Sequence, residues 1–252
     1  MQELNLKDIY GLYLSNINEQ HVASRYTDDN KSYFHGSGAG LCARKHYYSA
    51  YTQVEGAGVD ENTNRIFRIG NLLHKDIQDA VTWYATTHGL PLLIEKEIIL
   101  EDLNVRSFID LALIDTVGEQ HVLYDIKTCN SFKWRGMFGR SPDKNPSVNY
   151  QLQLATYGIW AKRHYDLDSI TLKICYYNKD NSNMREVEIS SEFINEAYNY
   201  WNNVGHVTGF DSAGGGNLPV VSLGIAPVYK WECNEKYCRY FDECGGGLKG
   251  II

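Results

Sequence analysis

The order of helix and strand signals along this 252-residue chain predicts an α/β fold. Three observations carry that prediction. From Thr63 to His88, apolar residues recur at three- and four-residue spacing (Ile66, Ile69, Leu73, Ile77, Val81, Tyr84), the period of an amphipathic helix. Strand-like runs follow at Leu92–Leu100, Val105–Asp115 and His121–Thr128, the last two joined by the turn Thr116-Val117-Gly118-Glu119. A second helical run, Val148–Arg163, then leads to hairpin signals at Ser169–Asn178 and Met184–Ser190 and to a further helix, Ser191–Val204. Ahead of all these, Met1–Asn30 begins helically (Leu6, Ile9, Tyr10, Tyr13) and carries no evident chemistry.

The chain is long enough to bury one sizeable core, and nothing in it marks two independent globules. We read one domain with three parts: an N-terminal helical part over 1–60, a core over 61–205 and a cysteine-rich segment over 228–246. The Gly-rich tracts Ser212–Asn217 and Gly245–Gly247 read as a loop and a tail. There is no apolar run of membrane-spanning length and no signal peptide. The expectation is therefore a cytoplasmic protein with reduced thiols.

Chemistry concentrates in a short stretch. Alternation along a strand puts Phe108, Asp110, Ala112 and Ile114 on one side, and Asp125 with Lys127 on one side of the next strand, Tyr124 and Ile126 pointing away. An antiparallel hairpin sets Asp110 beside Asp125 and Lys127. A bare carboxylate among apolar neighbours is costly, and a bound cation removes that cost. His74 projects toward the packed side of its helix, where a neutral imidazole tolerates burial and can ligate a metal. Gly70, one turn earlier, leaves room for close approach. Gln153 and Tyr157 share one helix face. Two carboxylates, an imidazole and a lysine are what metal-assisted cleavage of a phosphodiester requires. The competing reading makes Asp110 a strand-end charge, Asp125 and Lys127 an exposed edge, and His74 a core residue.

A net charge of −7 is unusual for a nucleic-acid binder. Cations nevertheless cluster locally: Lys133, Arg135, Arg140 and Lys144 are interleaved with Trp134 and Phe138 just after Lys127. Lys133, Arg135 and Arg140 can contact phosphates and Trp134 can stack on an unpaired base, with Arg65 and Arg68 extending the basic rim. The alternative is a polar loop that binds nothing. The acidic remainder predicts binding that depends strongly on metal and salt.

Six cysteines occur, and three of them, Cys233, Cys238 and Cys244, fall within twelve residues. Three thiolates need a fourth partner to close a tetrahedral or cubane site, and Cys42 is the natural candidate. Zn²⁺, an iron–sulfur cluster and unmetallated thiols all remain open at this point. Cys129 and Cys175 lie in or beside strand-like runs and read as core or strand-end residues.

Gly70-x-x-x-His74, Asp110, Asp125-x-Lys127 and Gln153-x-x-x-Tyr157, in that order, resemble the motifs of the RecB-family nucleases of the PD-(D/E)XK superfamily. The resemblance covers about residues 40–245. It implies a restriction-endonuclease-like core, a central mixed sheet flanked by helices, with helical N-terminal and Cys-rich C-terminal additions. It further implies that His74, Asp110, Asp125 and the backbone carbonyl of Ile126 hold Mg²⁺ or Mn²⁺, that Lys127 orients or activates water, and that Gln153 and Tyr157 support the site and the DNA strand. Ile109 replaces the proline that names the superfamily, and Ser107 stands where a glycine is frequent. The cysteine layout resembles the iron–sulfur subgroup, which includes CRISPR-associated nucleases and the AddB recombination subunit. It implies a [4Fe–4S] cluster on Cys42, Cys233, Cys238 and Cys244, with Zn²⁺ as the alternative. One spacing departs: Glu235 stands at the usual cysteine position and Cys233 lies two residues upstream. The resemblance thus implies an exonuclease on single-stranded DNA or DNA ends, working with a protein partner in recombination, phage DNA processing or CRISPR adaptation. A non-catalytic DNA-binding adaptor and a restriction-type endonuclease are the alternatives.

Overall fold

The computed structural model describes residues 5–23, 33–52, 60–115, 120–142, 147–209 and 232–244. In chain order the elements are α1 (Leu6–Ala23), β1 (Phe34–His35), α2 (Ala43–Tyr51), α3 (Glu61–His88), β2 (Leu92–Leu100), β3 (Val105–Asp115), β4 (Gln120–Cys129), α4 (Ser131–Phe138), α5 (Val148–Tyr165), β5 (Thr171–Asn178), β6 (Met184–Ile189) and α6 (Phe193–Thr208). The helix and strand runs expected from the sequence are all present, with ends displaced by a few residues. The turn 116–119 and both Gly-rich tracts lie outside the described residues.

Local chemistry sets the element ends. Asp60 caps α3, its carboxylate accepting from the Thr63 amide at 3.1 Å and the Thr63 hydroxyl at 2.7 Å. Gly89 closes the same helix with φ 65°, a left-handed conformation that glycine adopts without a Cβ penalty. Asn130 caps α4 by accepting from the Lys133 amide at 2.9 Å.

The sheet is mixed. β3 pairs antiparallel with β2 along Val105–Leu113 and antiparallel with β4 from Leu111 onward. Val105 pairs with Leu100 on one edge and, in parallel, with Phe34 of β1 on the other. One edge of β3 is therefore shared, β1 at its start and β4 at its end, with an interval between them that neither strand covers. β4 continues parallel to β5, reached through α4 and α5, and β6 closes the far edge antiparallel to β5. α5 lies on β4 and β5 with α6 packed against it, and α3 crosses β2, β3 and β4. The result is the expected α/β architecture, a central mixed sheet flanked by helices.

The main core joins both halves of the chain. Phe34, Ile98, Ile109, Leu123, Leu154, Tyr157, Leu172, Ile174 and Trp201 are all buried within one cluster. Trp201 stacks on Phe34 at 6.1 Å between ring centroids and donates its indole N–H to Thr156 Oγ1 at 2.9 Å. His46 completes this group, hydrogen-bonded to the Tyr200 phenol at 2.8 Å, and burial drives its pKa down to about 3. Ile109, at the position of the missing proline, is fully buried core.

The apolar stripe expected on α3 packs along its middle, where Leu73, Ile77 and Val81 are half-buried, and not at its ends. Ile66, Ile69 and Tyr84 are 52%, 48% and 49% exposed, while the buried positions are Gln78 and Ala85. The sheet surface beneath α3 carries the carboxylates described below, so the polar His74 and Gln78 share the packed face with Leu73, Ile77 and Val81. None of the described helices is long and apolar enough to cross a membrane.

Trp201→Ala removes the largest fully buried side chain among the described residues and one hydrogen bond. It should cost about 3–5 kcal/mol of stability, read from the midpoint of urea unfolding.

Candidate active site

The site forms where the β3–β4 hairpin splays. The ladder ends at the Leu111–Tyr124 pair, and the next positions on the two strands are Asp110 and Asp125. There, in place of a backbone bond, the Asp110 carboxylate accepts from the Ile126 amide at 2.7 Å. That bond holds the two acidic residues side by side. Asp125 is fully buried; one oxygen accepts from the Lys127 ammonium at 2.8 Å, and the other, Oδ2, has no hydrogen-bond partner among the described residues. Burial pushes the Asp125 pKa up to about 7; Asp110 adds to the rise and Lys127 opposes it. For Lys127, burial alone would favour the neutral amine, but Asp125 and Asp110 outweigh it and shift the pKa upward. The lysine is therefore an ammonium.

α3 supplies the imidazole. A Cβ on Gly70 would stand 3.3 Å from Thr128 Oγ1, so the glycine permits the close approach of helix and strand that the sequence indicated. One turn on, His74 Nδ1 lies 3.8 Å from Asp110 Oδ2, and the ring is hydrogen-bonded to the backbone of Ile126. Burial depresses its pKa despite the attraction of Asp110, leaving it a neutral ligand-capable group.

Two further residues belong here that the sequence reading passed over. Gln78, four residues after His74 and so on the same helix face, donates to the Asp110 carbonyl at 2.9 Å and to Glu95 Oε1 at 2.7 Å. Glu95 has φ 47°, a left-handed residue inside β2, and burial with the nearby Asp110 raises its pKa. Glu97, two residues further along β2, is instead committed to an ion pair with Arg106. The helical spacing of Gln78 from His74 was a usable signal; the reversed φ of Glu95 left no trace in the sequence.

α5 walls the inside of the site. Gln153 donates to the Tyr157 phenol at 2.6 Å, and Tyr157 is also hydrogen-bonded to Ser107. Burial raises the Tyr157 pKa, and Asp125 and Asp110 add to the rise, which places the phenol beside the carboxylates. Gln153 and Tyr157 are both buried. They back the acidic pair from the core side and are closed off from a strand lying outside.

The basic segment is a helix, α4, rather than a loop. Trp134 packs edge-on against Phe138 at 4.8 Å, and Phe138 against Tyr176 at 5.3 Å, so both rings are engaged with the core. The aromatic that stands free is Phe132, 81% exposed. Arg135 and Arg140 are exposed, Lys133 is half-buried, and Lys144 lies outside the described residues. Arg65 is ion-paired with Glu61 at 3.1 Å.

At the opposite end of the chain order, Cys42, Cys233, Cys238 and Cys244 line one cavity with Arg44, Tyr48, Glu232 and Tyr240. Cys42 caps α2, and its amide donates to Glu232 Oε2 at 3.0 Å across 190 residues of sequence. Arg44 Nε donates to Cys244 Sγ at 3.0 Å, and Tyr48 stacks on Tyr240 at 5.4 Å. Burial raises the thiol pKa values of Cys42 and Cys238. Glu232, which nothing in the sequence singled out, is buried with Oε1 unpartnered among the described residues, and burial pushes it up to about 7. Glu235 faces solvent, and Cys129 and Cys175 are buried strand residues.

Among the described residues, no three His, Cys, Asp or Glu side chains stand ready-placed around a single point for a metal ion. The donor chemistry nevertheless fits one at the acidic site. A buried carboxylate oxygen without a partner, a second carboxylate held beside it and a neutral imidazole form a set that a hard divalent cation would satisfy. The four thiols around one cavity fit a thiophilic metal or cluster.

No protein-family model matches the chain, and no curated protein matches it. Among solved structures, the crystal structure of SSO0001 aligns with a TM-score of 0.54 and 17% identity, over 95% of this chain and 97% of that one. An alkaline exonuclease, LHK-Exo from Laribacter hongkongensis, aligns with a TM-score of 0.41 and 12% identity, over 74% of this chain and 90% of that one. The likeness to SSO0001 is one of fold, along nearly the whole of both chains.

Gln78→Ala would leave the Asp110 carbonyl and the Glu95 carboxylate without their shared donor. A loss of about 1–3 kcal/mol in chemical unfolding is expected.

Proposed function

We propose that this protein is a divalent-metal-dependent nuclease that hydrolyses phosphodiester bonds in DNA, as an exonuclease on single strands or ends. One observation carries the reading: Asp110, Asp125, Lys127 and His74 adjoin one another where the β3–β4 hairpin splays, and one buried Asp125 oxygen has no hydrogen-bond partner among the described residues. Asp110, Asp125, His74 and the Ile126 carbonyl are the groups that would hold Mg²⁺ or Mn²⁺. The bound ion would supply Lewis acidity toward a phosphoryl oxygen and make water a better nucleophile.

The protein's own residues do the rest. The Ile126 amide fixes the Asp110 carboxylate, so no reorganisation is needed when substrate arrives. The Lys127 ammonium, held by Asp125, supports the attacking water or the negative charge that develops on the phosphoryl oxygens. Gln153 and Tyr157 keep the far side of the carboxylates dry. Lys133 and Arg135 lie on the helix that directly follows β4, and Arg140 two residues beyond its end, where they can meet strand phosphates. Trp134 serves that helix by packing it down rather than by stacking on a base.

Cys42, Cys233, Cys238 and Cys244 would hold a [4Fe–4S] cluster, with Zn²⁺ as the alternative. Its role in this reading is structural. It would join α2 to the C-terminal segment, and binding energy would become folding energy. The biological setting, recombination, phage DNA processing or CRISPR adaptation, belongs to the same proposal, as does a protein partner.

Asp110→Ala and Lys127→Ala should each lower cleavage of end-labelled DNA by roughly 10²-fold or more while circular dichroism stays unchanged. EDTA should abolish cleavage by the unaltered protein, and full activity in either variant would defeat the proposal. Cys42→Ala or Cys238→Ala should instead lose bound iron or zinc and unfold at lower denaturant. Metal content and unfolding midpoints equal to those of the unaltered protein would remove the cluster from the account.

A further inference from the structure

We infer that Tyr150 is a positioning residue for two ammonium groups, Lys127 and Lys133, and that the three together form a subsite for a phosphate of the nucleic-acid strand. The inference rests on the nuclease reading above and names where in that site the strand is gripped.

Tyr150 opens α5, three residues before Gln153 and seven before Tyr157, so all three lie along one face of the helix. The two inner residues are buried against the carboxylates, whereas Tyr150 is only half-buried. Its ring has Lys127 Nζ at 5.0 Å from the centroid and Lys133 Nζ at 4.2 Å, and Lys133 donates to its hydroxyl at 2.7 Å. An aromatic ring with a phenolic oxygen offers such cations both a negative π-face and an acceptor.

The placement of Lys133 is built in. Its amide is held by the Asn130 side chain at 2.9 Å, and the neighbouring Ser131 amide donates to Asp180 at 2.8 Å, so α4 starts in a fixed place after β4. Lys127 has Asp125 as its carboxylate partner. No carboxylate pairs with Lys133 among the described residues; its contact is the phenol. Two ammoniums against one ring are a poor arrangement alone and a good one around an anion. A phosphodiester between them would accept from both, and an ammonium offers three donors.

The two parts of Tyr150 then do separable jobs. The ring steadies Lys127, which bears on the chemical step. The hydroxyl steadies Lys133, which bears on strand binding. Replacing Tyr150 by Phe keeps the first and loses the second; replacing it by Leu loses both.

The test measures kcat and KM separately on a labelled single-stranded oligonucleotide with Mn²⁺, for Y150F, Y150L, K133Q and the Y150F/K133Q double variant. Binding to the same oligonucleotide is followed in EDTA against salt. Y150F should keep kcat and raise KM as much as K133Q does, with the double variant no worse than either. Y150L should lose about fivefold or more in kcat, the size of a cation–π contact, and Y150F should restore it. K133Q should flatten the plot of log affinity against log salt by about 0.7, one single-strand phosphate contact, and Y150F should flatten it in the same direction. Wild-type kinetics in Y150L, or additive effects of Y150F and K133Q on KM, would reduce Tyr150 to packing and overturn the inference while leaving the nuclease reading standing. If the unaltered protein cleaves nothing, the nuclease reading fails by itself. The salt plots then decide the subsite, and equal slopes in all variants overturn it.

Discussion

A carboxylate oxygen sealed from water, with no donor facing it among the described residues, is the constraint around which this structure is arranged. Asp125 holds that position at the centre of the sheet, fully buried, with Lys127 alone among the described residues donating to one of its two oxygens. An uncompensated buried charge is costly. The surroundings show how the cost is contained: Lys127 from the same strand, the Ile126 amide taking up the neighbouring Asp110, and Gln153 with Tyr157 closing the core side. What they leave over is one oxygen without a hydrogen-bond partner among the described residues.

The sheet makes this arrangement possible by being interrupted. β3 shares one edge between β1 and β4, and the uncovered interval ends at Asp110, where its side chain takes the Ile126 amide in place of a ladder bond. α3 crosses at the same level, brought close by Gly70 against Thr128, so that His74 and Gln78 reach the acidic pair from successive turns. Because the helix lands partly on polar groups, His74 and Gln78 share its packed face with Leu73, Ile77 and Val81, while Ile66, Ile69 and Tyr84 stay exposed. The same strand end launches α4, whose capped first turn presents Lys133 beside Tyr150 and Lys127. Scaffold and chemistry thus come from the same few residues of β3 and β4.

Much of this was legible in the sequence, for physical reasons. Alternation along Val105–Asp115 and His121–Thr128 placed Asp110, Asp125 and Lys127 together, because period-two geometry leaves little choice once the two runs form a hairpin. The 3.6 period did the same for His74 and for the Gln153–Tyr157 pair. What escaped depended on tertiary contact. The exposed ends of the α3 stripe and its buried Gln78 could not be read from hydrophobicity, since what a helix buries depends on the surface it meets. Glu95 reached the site through a left-handed φ inside a strand, which breaks alternation. Trp134 was marked as a stacking residue by its cationic neighbours, but α4 turns that ring onto Phe138 and the core. Spacing grouped Cys233, Cys238 and Cys244, with Cys42 added as the fourth partner, and the structure sets all four around one cavity, yet Glu232 entered through a fold across 190 residues that no local pattern records.

The central claim is that the partnerless Asp125 oxygen and its neighbours gather a divalent cation. Calorimetric titration of Mn²⁺ into the unaltered protein, beside Asp125→Asn and Asp110→Asn, tests it most directly. Saturable binding of Mn²⁺ that both substitutions abolish, with the fold intact by circular dichroism, is the predicted result. A folded protein that takes up no Mn²⁺, or takes it up equally in all three forms, would contradict the account.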